Sequence, residues 1–244
     1  MKRSSGYRLA FAFGFLLLVI GGYLVYEWLL PNLSRTRRVW LYLRNPAAFQ
    51  HWPVKGGEQC GKAPFLIPTA GYIGFLWGDS FRPGHRHQGI DIFAGTEPGV
   101  TEVRVAYPGF LTRLADWKAS LIIRIPQDPL QPERQIWTYY THLAGPEGDS
   151  YIVEAFPPGT QEVYVEAGTL LGYQGNYSGN PSNPVGVHLH FSIVKDRNGK
   201  FLNELEIENT LDPSPYFGLP LNSKTNPNQV PLCEDRVAGD VIRN

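Results

Sequence analysis

Sulfur is scarce in this chain: 244 residues include two cysteines and one methionine. A single Met argues against a soft, Met-lined docking surface. Neither Cys60 nor Cys233 has a neighbouring ligand in sequence, which argues against a metal site built on thiolates. Acid is missing from the first fifty residues, where seven Lys and Arg face only Glu27. Beyond residue 50 the balance reverses, with 15 basic against 21 acidic side chains. A globular part this acidic excludes phosphate-backbone binding as its main business, so no nucleic-acid partner is expected. Residues 64–200 lack any ten-residue helical period, and no internal repeat is evident. Charged residues make up 18% and hydrophobic ones 43%, which excludes a disordered chain.

Glycine and proline are plentiful, at 26 and 21 residues. Without a repeating period they signal many turns, and so a mainly β domain with long loops rather than a helical bundle. Short β-type runs at 101–107, 109–115, 120–125, 135–141, 162–165, 170–173 and 187–194 are separated by Gly, Pro and Asp. Their spacing predicts a compact antiparallel sheet or sandwich. Two longer loops, at 144–160 and 175–186, have the composition of cleft walls.

The N-terminus reads differently. Residues 9–26 carry no charge, and Trp28, Leu29 and Leu30 extend the apolar stretch past Glu27. Eighteen helical residues reach about 27 Å, close to the roughly 30 Å hydrocarbon core of a bilayer. Bulky residues follow the run where a signal-peptide cleavage site needs small ones, so an uncleaved transmembrane anchor is expected over 9–30. The resulting division is a tail at 1–8, the anchor, a juxtamembrane linker at 31–63 with a short helix around 36–43, a catalytic-type domain at 64–200, and a segment at 201–244 that wraps the surface. Lys2, Arg3 and Arg8 precede the anchor and Arg35, Arg37 and Arg38 follow it, so the distribution of positive charge leaves the orientation open. Outside the cytoplasm, Cys60 and Cys233 can pair and tie the two ends of the globular part together. The chain-entropy value for so long a loop is roughly 4–5 kcal/mol.

Histidine carries the chemistry. Five of the six histidines fall in three clusters, each beside a β-type run, and His51 stands apart in the linker. GHRHQGID at 84–91 sets His87 four residues from Asp91, an even spacing that shares one face of an extended chain. His85 competes with His87 on that same face. In VHLHF at 187–191, His188 and His190 alternate with the apolar residues Val187, Leu189 and Phe191. That pattern offers two ligands, or one ligand and one proton-transfer group. His142 closes the run at 137–143, where it can reach a site at the sheet edge. Nitrogen and carboxylate donors without thiolate suit one Zn²⁺ ion in a site with an open position for water. Remaining imidazoles can then move protons near neutral pH.

HQGID at 87–91, TYYTHL at 138–143 and HLHF at 188–191 together resemble the lysostaphin/LytM-type zinc metallopeptidases, the murein endopeptidases that cut peptide cross-links of bacterial cell walls. VEAGTLLGYQG at 165–175 resembles a glycine-spaced turn segment of the same family, and the likeness covers about 65–195 in the family's order. The resemblance implies a compact antiparallel β domain with its site in a groove. It implies His87, Asp91 and His190 as zinc ligands, and His142 and His188 as catalytic histidines. It further implies a peptidoglycan peptide as substrate and an extracytoplasmic peptidase domain on a single-pass membrane protein. Thr138 and Tyr140 match the motif and face either core or groove. NPVGV at 183–187 and LWGDSFR at 76–82 depart from the family pattern, which bears on substrate choice more than on the metal. The alternative is a non-catalytic module of the same fold that binds wall peptide or activates a partner wall hydrolase.

Overall fold

The computed structural model describes residues 5–80, 84–226 and 228–233; within the first helix, the side chains of 13–24 and 35–44 are described. Helix α1 (Ser5–Arg44) leads into a β domain made of β1 (Tyr72–Phe75), β2 (Ile90–Phe93), β3 (Glu102–Arg104), β4 (Gly109–Thr112), β5 (Leu121–Ile125), β6 (Ile136–Thr141), β7 (Val163–Val165), β8 (Leu170–Tyr173), β9 (His188–Arg197), β10 (Lys200–Phe201) and β11 (Thr210–Leu211), with a short α2 (Ser214–Phe217) near the end. The main sheet runs β1-β2-β9-β6-β5-β4-β7, with β10 and β11 both pairing β9, while β3 and β8 form a small second sheet. Every strand pairing is antiparallel. The seven runs predicted between 101 and 194 all become strands; that at 170–173 keeps its bounds and the other six are trimmed or shifted by one to three residues at their ends.

β9 lies at the centre, and its alternation organises the molecule. Leu189, Phe191 and Ile193 enter the core with Ile90, Ile92, Leu121, Ile123 and Tyr140. Burying each such side chain contributes about 1.5–3 kcal/mol relative to leaving it in water. His188, His190 and Ser192 take the other parity, and therefore the opposite face of the sheet. On β6 the same rule buries Thr138 and Tyr140, which answers the question left open in the sequence. Tyr140 accepts a hydrogen bond from the Ala106 N–H at 2.9 Å.

Three expectations need correction. The helix around 36–43 is not a separate element, because it is the end of the continuous α1. This end packs on the domain: Val39 and Tyr42 are buried in a cluster with Tyr72 and Phe93. Glycine at 74 permits the contact, since a Cβ there would lie 2.3 Å from Val39 Cγ2. The C-terminal segment does more than wrap the surface, because Tyr216, Phe217, Leu219 and Leu221 belong to the main core. And β1, preceding the first histidine cluster, was not foreseen; its four residues pair with β2 through an irregular register.

Cys60 and Cys233 form a disulfide across a sequence separation of 173, with Cα atoms 5.1 Å apart. Among the described residues no helix is long and apolar enough to cross a membrane. Part of the anchor expected over 9–30 lies outside the described side chains. Those that are described include Phe13, Phe15, Leu16, Leu17, Leu18, Val19 and Ile20, all exposed.

Candidate metal centre

Strand register on β2, β9 and β6 brings Asp91, His188 and His190 together. Asp91 on β2 is the cross-strand partner of His190 on β9, and His190 is in turn the partner of Thr141 on β6. Phe93 pairs with His188 one step further along. Three histidine-bearing segments that are distant in sequence thus meet on adjacent strands.

His87 arrives by another route than the one predicted. It precedes β2 in irregular chain, so it does not share a strand face with Asp91. Its backbone is held instead by paired hydrogen bonds to the turn before it: His87 N–H donates to Asp79 O at 2.7 Å, and Gly78 N–H donates to His87 O at 2.8 Å. Gly89 then lets the chain pass against β9, because a Cβ there would lie 2.1 Å from Phe191 O. The result is a group of donor atoms from His87, Asp91 and His190 within 4.8 Å of one another. His87 Nε2 lies 3.1 Å from Asp91 Oδ1 and 3.1 Å from His190 Nδ1. His190 Nδ1 lies 2.8 Å from Asp91 Oδ1.

The donor set fits a tetrahedral zinc. With zinc bonds of about 2.0–2.1 Å, neighbouring ligand atoms of a tetrahedron are about 3.3–3.4 Å apart, a small relaxation from the separations seen. The tautomers fit as well. The Leu76 carbonyl, 3.0 Å from His87 Nδ1, accepts a hydrogen bond from Nδ1–H, which leaves the Nε2 lone pair facing the other donors. Ser192 Oγ, 2.9 Å from His190 Nε2, can accept a hydrogen bond from Nε2–H, which leaves Nδ1 for a metal. Burial alone would raise the Asp91 pKa, but His87, His188 and His190 hold it well below the usual carboxylate range, so it is an anion.

Two further imidazoles stand beside this group. His142 and His188 have ring centroids 4.4 Å apart. His142 Nδ1–H donates to Tyr177 O at 2.6 Å, and His188 Nδ1–H donates to Gly186 O at 2.6 Å. A carbonyl can only accept, so Nδ1 of each ring carries a proton. Burial, reinforced by His188 and His190, pushes the His142 pKa down to about 3, which keeps it neutral at pH 7. His142 has a left-handed backbone with φ 72°, a strained state for a bulky residue. Gly175 makes the contact with the 175–186 loop, since a Cβ there would lie 2.1 Å from Ala144 O and 2.6 Å from His142 O. Asn176 and Tyr177 N–H groups both donate to Ala144 O, which brings the Tyr177 carbonyl onto His142.

The histidines sit on the floor of a groove of about 700 Å³. Loop 175–186 forms part of its wall through Tyr177, Ser178, Gly179, Val185 and Gly186. Loop 144–160 contributes no residue to the lining of this groove. His85 lines the groove without joining the close group of His87, Asp91 and His190.

Solved structures that this chain resembles include lysostaphin and its catalytic domain. The catalytic domain of the antimicrobial peptidase lysostaphin from Staphylococcus simulans matches at 19% identity and a TM-score of 0.40, over 60% of this chain and 92% of that one. Longer lysostaphin from the same organism matches over 68% of this chain and 55% of that one, at 17% identity and a TM-score of 0.38. A variant of the catalytic domain of the prophage-encoded M23 protein EnpA from Enterococcus faecalis matches at 20% identity and a TM-score of 0.36, over 61% and 95% of the two chains. No protein-family model matches the chain, and no curated protein sequence matches it.

Several residues of this site escaped the sequence reading. Ser192 continues the parity of His188 and His190, a signal that was present in the strand and not used. Ser120, Tyr139 and Thr141 form a hydroxyl cluster in the groove, with Ser120 Oγ 2.6 Å from Thr141 Oγ1 and 3.2 Å from Tyr139 OH. The carbonyls of Leu76, Tyr177 and Gly186 have no sequence signal, because any residue supplies one. Ser192→Ala is expected to weaken zinc affinity about 10–100-fold, since His190 loses the group that fixes its tautomer. Competition with a chromogenic chelator measures this; unchanged affinity would remove Ser192 from the account.

Proposed function

We propose that this chain is a membrane-anchored zinc metalloendopeptidase that hydrolyses peptide bonds of bacterial peptidoglycan. One observation carries the reading: three donor atoms suited to one metal ion share an open groove with two further imidazoles, each tied through Nδ1–H to a backbone carbonyl. His87, Asp91 and His190 would hold the zinc, which when bound supplies a polarising charge and a water of lowered pKa. His142 and His188 then do the proton work. Each presents Nε2 to the groove, accepts a proton there, and returns it to the leaving amine. Their Nδ1–H bonds to Tyr177 and Gly186 fix the ring planes, so little orientation is lost on the way to the transition state. The hydroxyl groups of Ser120, Tyr139 and Thr141 in the groove lining can bond a peptide backbone.

The extracytoplasmic location follows from the same reading. The Cys60–Cys233 disulfide supports an oxidising compartment. The exposed apolar side chains between Phe13 and Leu24 on a continuous helix support an anchor over 9–30. The test is direct. The full chain, purified in detergent and loaded with zinc, is expected to bind one ion and release peptide fragments of defined mass from purified peptidoglycan. A zinc-loaded chain that cuts no wall peptide would overturn the enzyme reading. Stimulation of a partner hydrolase by that inactive chain would support the non-catalytic module instead.

A further inference from the structure

We propose that the end of α1, residues 35–43, is a wall of the substrate groove and selects an aliphatic side chain next to the bond being cut. This rests on the peptidase reading above and adds a specificity element from outside the β domain. Val39 and Leu43 line the groove together with Phe75 and Phe93, which pack with them in one apolar cluster. The lining also holds a separate hydroxyl cluster of Ser120, Tyr139 and Thr141. The side chains of the apolar cluster have no hydrogen-bonding group to offer a peptide side chain, so an aliphatic one is the group they desolvate at least cost.

A mere tether would not be bound into the domain as this helix is. The Arg35 guanidinium pairs with Asp79 at 3.0 Å, both side chains being buried. Arg35 and Arg38 also donate to the carbonyls of Asn226 and Asn228, and Tyr42 OH donates to Ala94 O at 3.1 Å. Breaking a buried ion pair from one side leaves the other charge stranded, which resists detachment of the helix. The wall also touches the reacting centre. Phe93, in the cluster with Val39, stacks on His188 with ring centroids 4.9 Å apart. Leu43 lies beside Gly186, where a Cβ would sit 3.4 Å from Leu43 Cδ1, and the Gly186 carbonyl holds His188. Asp79, on the far side of the Arg35 pair, accepts the backbone N–H of His87.

The experiment compares full-length wild type, Leu43→Ala and Leu43→Met in detergent on two peptides. One carries an aliphatic residue next to the cleaved bond, the other glycine there. Leu43→Ala is expected to raise KM about tenfold for the aliphatic peptide alone, with kcat and zinc content unchanged, and Leu43→Met is expected to restore it. Equal KM values in all three chains, or an equal rise on both peptides, would overturn the inference while leaving the peptidase intact. Loss of zinc in Leu43→Ala would assign Leu43 to folding and overturn it too. A wild-type chain that binds zinc and cuts neither peptide removes the peptidase reading itself, and the inference with it.

Discussion

His190→Ala is expected to lose metal and activity together. His190 is the central donor, because its Nδ1 lies 2.8 Å from Asp91 Oδ1 and 3.1 Å from His87 Nε2. Removing it leaves two donors, fewer than the three protein ligands a catalytic zinc keeps. Its ring lies on the groove face rather than in the core, so the truncation opens space to solvent instead of a core cavity. Bound zinc is expected to fall from one per chain to near zero, hydrolysis to background, and far-ultraviolet dichroism to stay unchanged. Full retention of metal would refute the ligand assignment. If His85→Ala strips the metal while His87→Ala does not, the first cluster is misassigned by two residues.

His142→Ala is expected to separate the two losses. His142 bonds Tyr177 O through Nδ1 and is outside the close donor group, so zinc content should remain at one per chain. Turnover is expected to drop about 10²–10⁴-fold, the usual range for deleting a general acid or base. The left-handed backbone at φ 72° is strained for alanine as well as histidine, so the change leaves that strain in place. A drop in kcat with KM nearly constant is the expected pattern. A variant that keeps wild-type kcat would remove His142 from proton transfer, and one that loses zinc would make it a ligand.

The sequence revealed what depends on strand parity and little that depends on long-range docking. His188 and His190 were legible because two residues of one parity on a strand share a face. His87 was paired with Asp91 for an inaccurate reason. Their convergence comes from the 78–87 backbone pairing and the close pass at Gly89, not from a common strand. The burial of Thr138 and Tyr140 required knowing which face of β6 meets the core, which needs its neighbours β5 and β9. The tail was misjudged because Tyr216, Phe217, Leu219 and Leu221 show no period, yet each finds space in the core. Val39 and Leu43 had no signal at all, since their role exists only once the helix lands on Phe93 and Gly186.

The unbroken course of α1 has a mechanical consequence. About nine residues separate the end of the expected bilayer-crossing run at Leu30 from Val39 in the groove, a rise of roughly 14 Å at 1.5 Å per residue. If residues 9–30 cross the bilayer, the groove stands close above the lipid, because the helix that crosses it continues into the groove's side. On the proposed peptidase reading, the wall strands within that short reach would be the ones it could cut. A fragment starting at residue 50 would escape this confinement, but it would also lack Arg35, Val39, Tyr42 and Leu43, and so one side of its own cleft.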